Sequence, residues 1–397
     1  MKRGLEFGYI GLGQCGGNIA NKYAMLGYDA VAINTSSTDL KGLSKIKETH
    51  KLLIKDKEEI EGAGKNPDIG EKILTNEIDT VVDFIKAIFN KKYSKIFLCL
   101  GLGGGSGCGM VEILSQVLNE FGYEIGVIAT LPNEVEPARV KLVALSTYEK
   151  IANLSCVTNI FLVDNEKVSK RIPGISLKAK YEFLNTCVAE QIDNINILSQ
   201  RPSTITSFDA KDLETVLSPR GISIINEVTI DDVDKIKEEV YLTRLFSDSI
   251  NLSIGADIDS DKLECSAAVF LFDLPKNTGK NIKEKSLQLL QNKVGNPFDV
   301  FYGIYESERT NKKGTFTVLL TGIDVSSVKR IQDMSKDFEE KAGEYEKKFN
   351  RNNNVNYSNN KTDMLSKFSF NKNKQNTSEV VKKEGKSILD KIKEKNK

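Results

Sequence analysis

Two glycine-rich turns in the first third of the chain have the composition of loops that bind phosphate groups. The first is Gly11–Asn18 (GLGQCGGN), and the second is Gly101–Gly109 (GLGGGSGCG), in which six of nine residues are glycine. Glycine lets a backbone approach a ligand closely and direct several N–H groups at one anion, and the N-terminus of a following helix adds positive potential. Ser106 adds a hydroxyl donor. Together the turns predict a site for a ligand that carries several phosphates.

Neither turn is a P-loop, because neither contains Gly-Lys-Ser or Gly-Lys-Thr. The first turn alone matches the GxGxxG pattern of dinucleotide-binding folds at Gly11, Gly13 and Gly16, with Asp29 or Asp39 as the ribose-binding acid. An oxidoreductase of the NAD type is therefore the alternative from another functional class. The second turn has no role in that alternative, so the pair of turns favours phosphate binding by both loops.

Two carboxylates, Asp209 and Asp212, lie one helical turn apart at the start of a predicted helix. Residues at this spacing project from the same side of a helix, so both carboxylates can point the same way. The alternative is structural, because an aspartate at position 209 is also a favourable N-cap. The lone histidine, His50, leaves carboxylates, backbone amides or a metal ion as the groups for any catalysis.

The composition is that of a globular protein. The chain has 397 residues, of which 40% are hydrophobic and 28% charged, enough for two domains and a tail. Its 56 Lys and Arg residues balance 55 Asp and Glu residues, so the surface as a whole does not predict nucleic-acid binding. Six scattered cysteines without a CxxC motif predict reduced thiols and no zinc site, and the sequence leaves the ligands of any metal unknown.

Hydrophobic segments of the length that targets a chain to a membrane are missing from the sequence. The first residues contain no apolar core of signal-peptide length, and no window approaches 18 uninterrupted apolar residues. We therefore expect a cytoplasmic protein without a membrane partner.

Apolar runs alternate with helical patterns in the first half of the chain, which predicts a parallel sheet with helices on both faces and ligands at the carboxyl ends of its strands. From about Leu217 a second α+β domain is predicted. The predicted strands are Phe7–Leu12, Ala30–Asn34, Lys95–Leu100, Glu124–Leu131, Asn159–Val163, Ile222–Asn226, Ala267–Leu274, Val300–Glu306 and Thr315–Thr321. The predicted helices are Asn18–Leu26, Met110–Asn119, Leu177–Leu198, Asp232–Ser247 and Asn281–Leu290.

In their order along the chain, several segments resemble the nucleotide loops of the tubulin/FtsZ superfamily. Gly103–Gly109 (GGGSGCG) matches its GGGTG[TS]G loop, with Ser106 in the usual threonine position. Gly62–Pro67 (GAGKNP) resembles the FtsZ loop GAGANP, which senses the γ-phosphate. The resemblance covers about 320 residues and implies an α/β fold. Its parts are a parallel-sheet GTP-binding domain (1–176), a central helix (177–200), a smaller α+β activation domain (201–323), a C-terminal helix (324–349) and a flexible basic tail (350–397).

The same resemblance implies GTP or GDP as the bound nucleotide, together with Mg²⁺. One group of residues would bind the ribose and the guanine base, and a larger group would bind the phosphates and the rest of the nucleotide. The first group is Glu136, Arg139, Asn165, Tyr181 and Asn185. The second group is Gly13, Gln14, Cys15, Asn18, Asn34, Gly64, Lys65, Asn66, Gly103, Gly104, Gly105, Ser106 and Gly107.

The acidic pair resembles the catalytic loop NxDxxD of FtsZ, with Ser207 in place of the usual asparagine. The resemblance implies that Asp209 and Asp212 act on the nucleotide of the next subunit, because the central helix places them roughly 30 Å from the glycine loops. Such a head-to-tail contact builds a filament and couples GTP hydrolysis to assembly. Because of Ser207, a scaffold that binds GTP without hydrolysing it is an alternative.

The end of the chain is rich in lysine. Lys372–Lys397 contains nine lysines against Glu379, Glu384, Asp390 and Glu394, a net charge of +5. Such a tail resembles those of TubZ-like proteins that segregate plasmid or phage DNA, and it implies a DNA-binding adaptor and centromere DNA as partners. An FtsZ-like division protein and an ordinary solvated tail are the alternatives.

Overall fold

The structure, a computed structural model, describes residues 2–55, 61–203, 205–259, 263–308, 311–338, 340 and 387–395. Within these ranges ten strands form one sheet in the order β3-β2-β1-β4-β5-β6-β7-β10-β8-β9. The strands from β3 to β7 are parallel, whereas β10 is antiparallel to both β7 and β8. The strands are β1 Phe7–Leu12, β2 Asp29–Asn34, β3 Lys51–Leu53, β4 Lys95–Gly101, β5 Ile125–Leu131, β6 Val157–Asp164, β7 Gly221–Ile230, β8 Ala267–Pro275, β9 Asp299–Ser307 and β10 Gly314–Ile323.

Helices cover both faces of the sheet, as predicted for a parallel sheet. The described helices are α1 Gly13–Leu26, α2 Ser37–Lys41, α3 Pro67–Asn76, α4 Ile78–Ile88, α5 Gly105–Glu120, α6 Ala138–Asn153, α7 Asn165–Arg171, α8 Leu177–Leu198, α9 Ala210–Val216, α10 Glu239–Asn251, α11 Glu284–Lys293, α12 (residues 329–338) and α13 Ile388–Lys395. Short 3₁₀ turns lie at Glu48–His50, Val233–Lys235, Gly279–Asn281 and Val325–Ser327. Among the described ranges, no helix combines the length and apolarity needed to cross a membrane.

Each face of the sheet has its own hydrophobic core. All six residues of β1 are buried, and neighbours on the strand point to opposite sides: Tyr9 packs with α1 and α8, and Ile10 packs with α4 and α5. This follows from the two-residue period of a strand whose faces are both covered. The sheet therefore holds α1 and α5, which follow the two glycine turns, on opposite faces.

The glycine turns are the first turns of helices. The sequence predicts helices from Asn18 and Met110, but α1 begins at Gly13 and α5 at Gly105. Both predicted starts are wrong because glycine has low helix propensity, which hides the first turn from a pattern based on apolar residues.

The two predicted domains share the sheet. β6 pairs in parallel with β7 through Asn159 and Gly221, so hydrogen bonds cross from the first predicted domain to the second. The predicted domain boundaries at 176, 200 and 323 do not coincide with a break in the sheet, and they remain predictions. The long helix is as predicted, because α8 spans Leu177–Leu198.

The last part of the chain departs from the prediction of a flexible tail over 350–397. Residues 350–386 lie outside the described residues, but Ile388–Lys395 form helix α13, which packs on α5. Ile392 is buried, and the Ile388 N–H donates to Glu120 Oε1 at 2.7 Å. The apolar side chains at 388, 389 and 392 give this short segment a face that a lysine count does not reveal.

Candidate functional site

A cavity of about 530 Å³ lies at the carboxyl ends of the central parallel strands. That edge is where parallel α/β sheets bind ligands, because loops from neighbouring strands converge there. Sixteen of the residues that the sequence predicts for a nucleotide line this cavity. They are Gly13, Gln14, Cys15, Asn18, Asn34, Gly64, Lys65, Gly103, Gly104, Gly105, Ser106, Gly107, Glu136, Asn165, Tyr181 and Asn185.

Two helix N-termini open into the cavity, those of α1 and α5. Neither N-terminus is capped by a side chain, and neither helix has an acidic residue in its first turn. The first N–H groups of a helix have no partner within the helix, and the helix dipole adds positive potential there. The cavity therefore presents two sets of backbone donors suited to phosphate oxygens.

Close backbone packing explains the glycines of these turns. A Cβ at Gly16 would collide with the Cys99 carbonyl oxygen, so α1 touches β4 without intervening side chains. Gly103 has φ of 104°, a conformation that other residues rarely adopt, and a Cβ there would lie 2.5 Å from Val140 Cγ1. Neither position therefore has room for a side chain.

A pair of hydroxyl groups joins the second glycine turn (Gly101–Gly109) to the residue that follows β2. Ser106 Oγ and Thr35 Oγ1 are 2.8 Å apart, and Thr35 is 1% exposed. The Thr35 carbonyl also accepts the Gly62 N–H at 2.8 Å. Thr35 therefore connects Ser106 with the Gly62–Pro67 loop, although the sequence prediction did not include it.

Glu61 fastens the Gly62–Pro67 loop to α2. Its carboxylate accepts Ser37 Oγ at 2.6 Å and the Ser37 N–H at 2.9 Å, and it forms an ion pair with Lys55 at 2.8 Å. The hydrogen bond from Lys55, followed by those from Ser37, lowers the pKa of Glu61 to about 2. At neutral pH the Glu61 carboxylate is therefore charged. It holds the Gly62–Pro67 loop beside the end of the cavity where α1 and α5 begin.

The other end of the cavity has the shape of a base-binding pocket. Tyr181 and Asn185 lie one turn apart on α8 and both line the cavity, as does Asn165 at the start of α7. Tyr181 is 38% exposed, so part of its ring is accessible to a ligand, whereas Asn165 and Asn185 are buried. An aromatic face with two amides suits a planar base with polar edges.

Two residues of the predicted set do not line the cavity. Asn66 instead caps α3, where its Oδ1 accepts the Asp68 N–H at 3.1 Å. Arg139 is an exposed residue in the first turn of α6. The loop resemblance indicated their neighbourhood, but not the direction of their side chains.

Some residues that line the cavity were missed by the sequence prediction as nucleotide-binding residues. They include Thr35, Ser36 and Thr130, together with Asp39, which appeared only in the NAD alternative. Thr130 lies in β5 near its carboxyl end, so the rule that strand ends carry the site could have found it. Its Oγ1 lies 3.3 Å from Cys15 Sγ, and burial raises the pKa of the Cys15 thiol, which is therefore neutral.

Charges in the cavity are few. Among the residues that line it, Lys65 is the one cation, and Asp39 and Glu136 are the carboxylates. Within the described ranges, no group of three or more His, Cys, Asp or Glu side chains could hold a metal ion. Mg²⁺ typically binds through one or two carboxylates, water and substrate phosphates, so this donor set fits a magnesium ion that arrives with a nucleotide.

The acidic pair lies away from the cavity. Asp209 caps α9, with Oδ1 accepting the N–H groups of Lys211 at 2.7 Å and Asp212 at 3.0 Å. Asp212 Oδ2 in turn accepts the Asp209 N–H at 3.0 Å, which completes a capping box. Asp209 is exposed and Asp212 is half-buried. The structural alternative for Asp209 is therefore realised, and it leaves both carboxylates at the surface.

Comparisons with known proteins agree with this arrangement. The model of the Tubulin/FtsZ family, GTPase domain, matches residues 6–173. The tubulin-like protein CetZ of Pyrococcus abyssi is 30% identical over 332 residues, which cover 82% of this chain and 87% of that protein. The tubulin-like protein TubZ of Bacillus cereus is 27% identical over 284 residues, which cover 66% of this chain and 63% of that protein.

A solved structure has the same fold. It is the GTPγS-form protofilament of Bacillus thuringiensis serovar israelensis TubZ, which matches with a TM-score of 0.73 and 19% identity. The match covers 88% of this chain and 95% of that chain.

The uncapped helix N-termini, the glycine turns and the base pocket at the strand ends define a nucleotide-binding protein with a parallel α/β sheet. With the matches to its GTPase domain and to CetZ, the chain belongs to the tubulin/FtsZ family. It is a GTPase that uses GTP and GDP with Mg²⁺, and the NAD alternative is excluded.

Proposed function

We propose that this protein assembles head to tail into filaments and hydrolyses GTP at the contact between subunits. The observation that carries the proposal is the position of the acidic pair relative to the cavity. Tyr181, near the start of α8, lines the cavity, whereas Asp209 and Asp212 follow the other end of that helix. With 22 residues, α8 is about 33 Å long.

This separation prevents the acids from reaching their own nucleotide. An identical subunit stacked in the same orientation would bring its acidic edge to the open cavity. Such a contact uses two different surfaces, so it repeats without closing and produces a filament. The TubZ structure of similar fold is itself described as a protofilament, which supports the proposal.

The chemistry needs few protein groups. Phosphoryl transfer to water depends mainly on positioning and on stabilising charge. The N–H groups of α1 and α5 would hold the phosphates, and Mg²⁺ would neutralise part of their charge. The carboxylates of Asp209 and Asp212 from the neighbouring subunit would orient the attacking water.

The cellular role is the finer part of the proposal. The lysine-rich segment Lys372–Lys397, with its net charge of +5, favours a TubZ-like role in segregating plasmid or phage DNA through a DNA-binding adaptor and centromere DNA. A CetZ-like role is the second candidate, because the match to CetZ has higher identity and covers more of both chains than the match to TubZ.

The first experiment measures phosphate release at increasing protein concentration with saturating GTP. Turnover per subunit should rise with concentration, because a catalytic site forms only between subunits. Asp209→Asn and Asp212→Asn should each lower turnover by about 100-fold or more while GTP still binds.

Asparagine is chosen because it also caps helices, so the capping box is not simply deleted. Asp83→Asn, an exposed acid on α4, is the matched control and should keep full turnover. Turnover per subunit that is independent of concentration would remove the shared-site proposal, and so would full activity of both asparagine variants.

A further inference from the structure

Lys180 is a buried cation behind the base pocket. It is 4% exposed on α8, and its Nζ donates to Asn133 Oδ1 and to Ser169 Oγ, both at 2.9 Å. Both partners are neutral, whereas buried charges in proteins are usually paired with an opposite charge. The carboxylates of Glu166 and Glu136 act only from a distance, and burial lowers the pKa of Lys180. The energetic cost of burying this charge indicates a specific role for Lys180.

Two sets of contacts connect Lys180 with two residues of the base pocket. Ser169 receives its hydrogen bond from Lys180, so its own hydroxyl hydrogen is free to donate to the Asn165 carbonyl at 3.0 Å. Both residues of this bond belong to α7, the helix on which Asn165 lines the cavity. Lys180 thereby braces α7 against α8.

The second branch leads to the aromatic ring. The Nζ of Lys180 lies 5.0 Å from the centroid of the Tyr181 ring, so the ammonium group contacts the aromatic ring directly. Its hydrogen bonds to Asn133 Oδ1 and Ser169 Oγ hold the ammonium group at this position. The lysine therefore supports the ring of Tyr181 as well as α7.

We propose that Lys180 is a positioning residue for base recognition, which holds Tyr181 by direct contact with its ring and Asn165 through Ser169, and so sets the preference for guanine over adenine. The proposal rests on the assignment of this cavity to GTP. It adds a residue that does not line the cavity and that the loop resemblance does not include.

The test compares Lys180→Met with the exposed neighbour Lys178→Met, because both remove an ammonium group from the same helix. Equilibrium affinities for GTP and ATP are measured for each protein. Lys180→Met should lose about tenfold in the ratio of GTP to ATP affinity, mostly through weaker GTP binding, since the contacts to phosphate are unchanged. Lys178→Met should keep the ratio of the unmodified protein.

Two further variants separate positioning from folding. Ser169→Ala removes the hydrogen bonds of Ser169 to Asn165 and Asn133 but keeps Lys180 beside the Tyr181 ring, so it should lower the same ratio by a smaller factor. The double variant Lys180→Met with Asn133→Ala should lose no more than the larger single loss, because residues of one network are not additive.

Loss of GTP and ATP affinity by the same factor would assign Lys180 a purely structural role and overturn the inference, as would an unchanged ratio in both Lys180→Met and Ser169→Ala. An unmodified protein that does not prefer GTP to ATP would instead contradict the assignment of the cavity itself.

Discussion

Lys95 shows how a single buried side chain couples this fold to pH. It begins β4 with 3% exposure, and its Nζ donates to Thr158 Oγ1 at 2.5 Å and to Glu124 Oε2 at 3.3 Å. Burial lowers its pKa to about 8, because the Glu124 carboxylate offsets only part of the lost hydration. The charge of Glu214 on α9 also raises the pKa of Lys95. Lys95 therefore lies toward the edge of the sheet that carries the acidic pair.

A pH-dependent contribution to stability follows for Lys95. An unfolded lysine has a pKa of about 10.4, so between pH 8 and that value the unfolded state binds more protons than the folded state. The destabilising effect of the buried charge is complete below pH 8 and is relieved as the pH rises. Relative to Lys95→Met, the unmodified protein should gain up to about 3 kcal/mol of unfolding free energy across this window.

Urea unfolding at several pH values measures the free energy of unfolding of Lys95→Met and of the unmodified protein. The contributions of the other titrating groups cancel in the difference between the two free energies. A difference that stays constant from pH 8 to pH 10.4 would mean that Lys95 is not buried as described.

At the scale of elements, α8 links base binding to catalysis. Its first turns carry Tyr181 and Asn185 at the cavity, and the chain continues from its last turn to the acidic pair. Ser176 caps its N-terminus by accepting the Ala179 N–H at 3.2 Å, and Leu184, Val188 and Ile192 pack into the core below. A rigid helix of this length fixes the distance between the two half-sites.

Helix α13 limits how the basic tail can be tested. Because Ile392 is buried against the folded body, deleting Lys372–Lys397 would remove packing as well as charge. Neutralising lysines that precede α13 changes the charge and leaves this contact intact.

The tail variant replaces four lysines by glutamine, and GTP-assembled protein is sedimented with double-stranded DNA at low salt. Fewer cations release fewer counterions from DNA, so the variant should carry less DNA into the pellet while keeping its GTP turnover. The four residues are Lys372, Lys374, Lys382 and Lys383.

The control for the tail variant changes the same number of exposed lysines on the folded body. Equal DNA in both pellets would reject a role of the tail in DNA contact. The control residues are Lys45, Lys237, Lys280 and Lys293.

The molecule has a structural polarity, with an open cavity at one end of α8 and the acidic pair at the surface beyond the other end. This polarity predicts that two defective subunits complement each other. Asp212→Asn keeps the cavity and lacks one acid. Gly104→Asp keeps the acids but places a carboxylate at the N-cap of α5, where it would stabilise the helix and repel phosphates.

Each of these variants alone should release little phosphate, and an equal mixture should recover turnover, because a Gly104→Asp subunit supplies acids to the GTP of its Asp212→Asn neighbour. Phosphate release by a mixture that merely equals the sum of the separate proteins would argue for a site built within one subunit.

Local patterns predicted much of this fold. The predicted strand Phe7–Leu12 agrees with β1, and α8 spans the predicted Leu177–Leu198, because buried strands and long helices have strong periodicity. Short elements such as α2, β3 and α7 were not predicted, since three, five or seven residues give too weak a pattern. The predicted C-terminal helix (324–349) is helical at residues 329–338, and part of it lies outside the described residues.

The chemistry of the loops was readable from the chain alone, because glycine content, amide side chains and the spacing of Asp209 and Asp212 are local properties. Which side chains meet depends instead on how distant parts of the chain pack. The burial of Lys180 behind Tyr181, the contact of Thr35 with Ser106 and the exclusion of Arg139 from the cavity depend on strand order and register. Those are set by packing between residues far apart in the chain, which no local pattern contains.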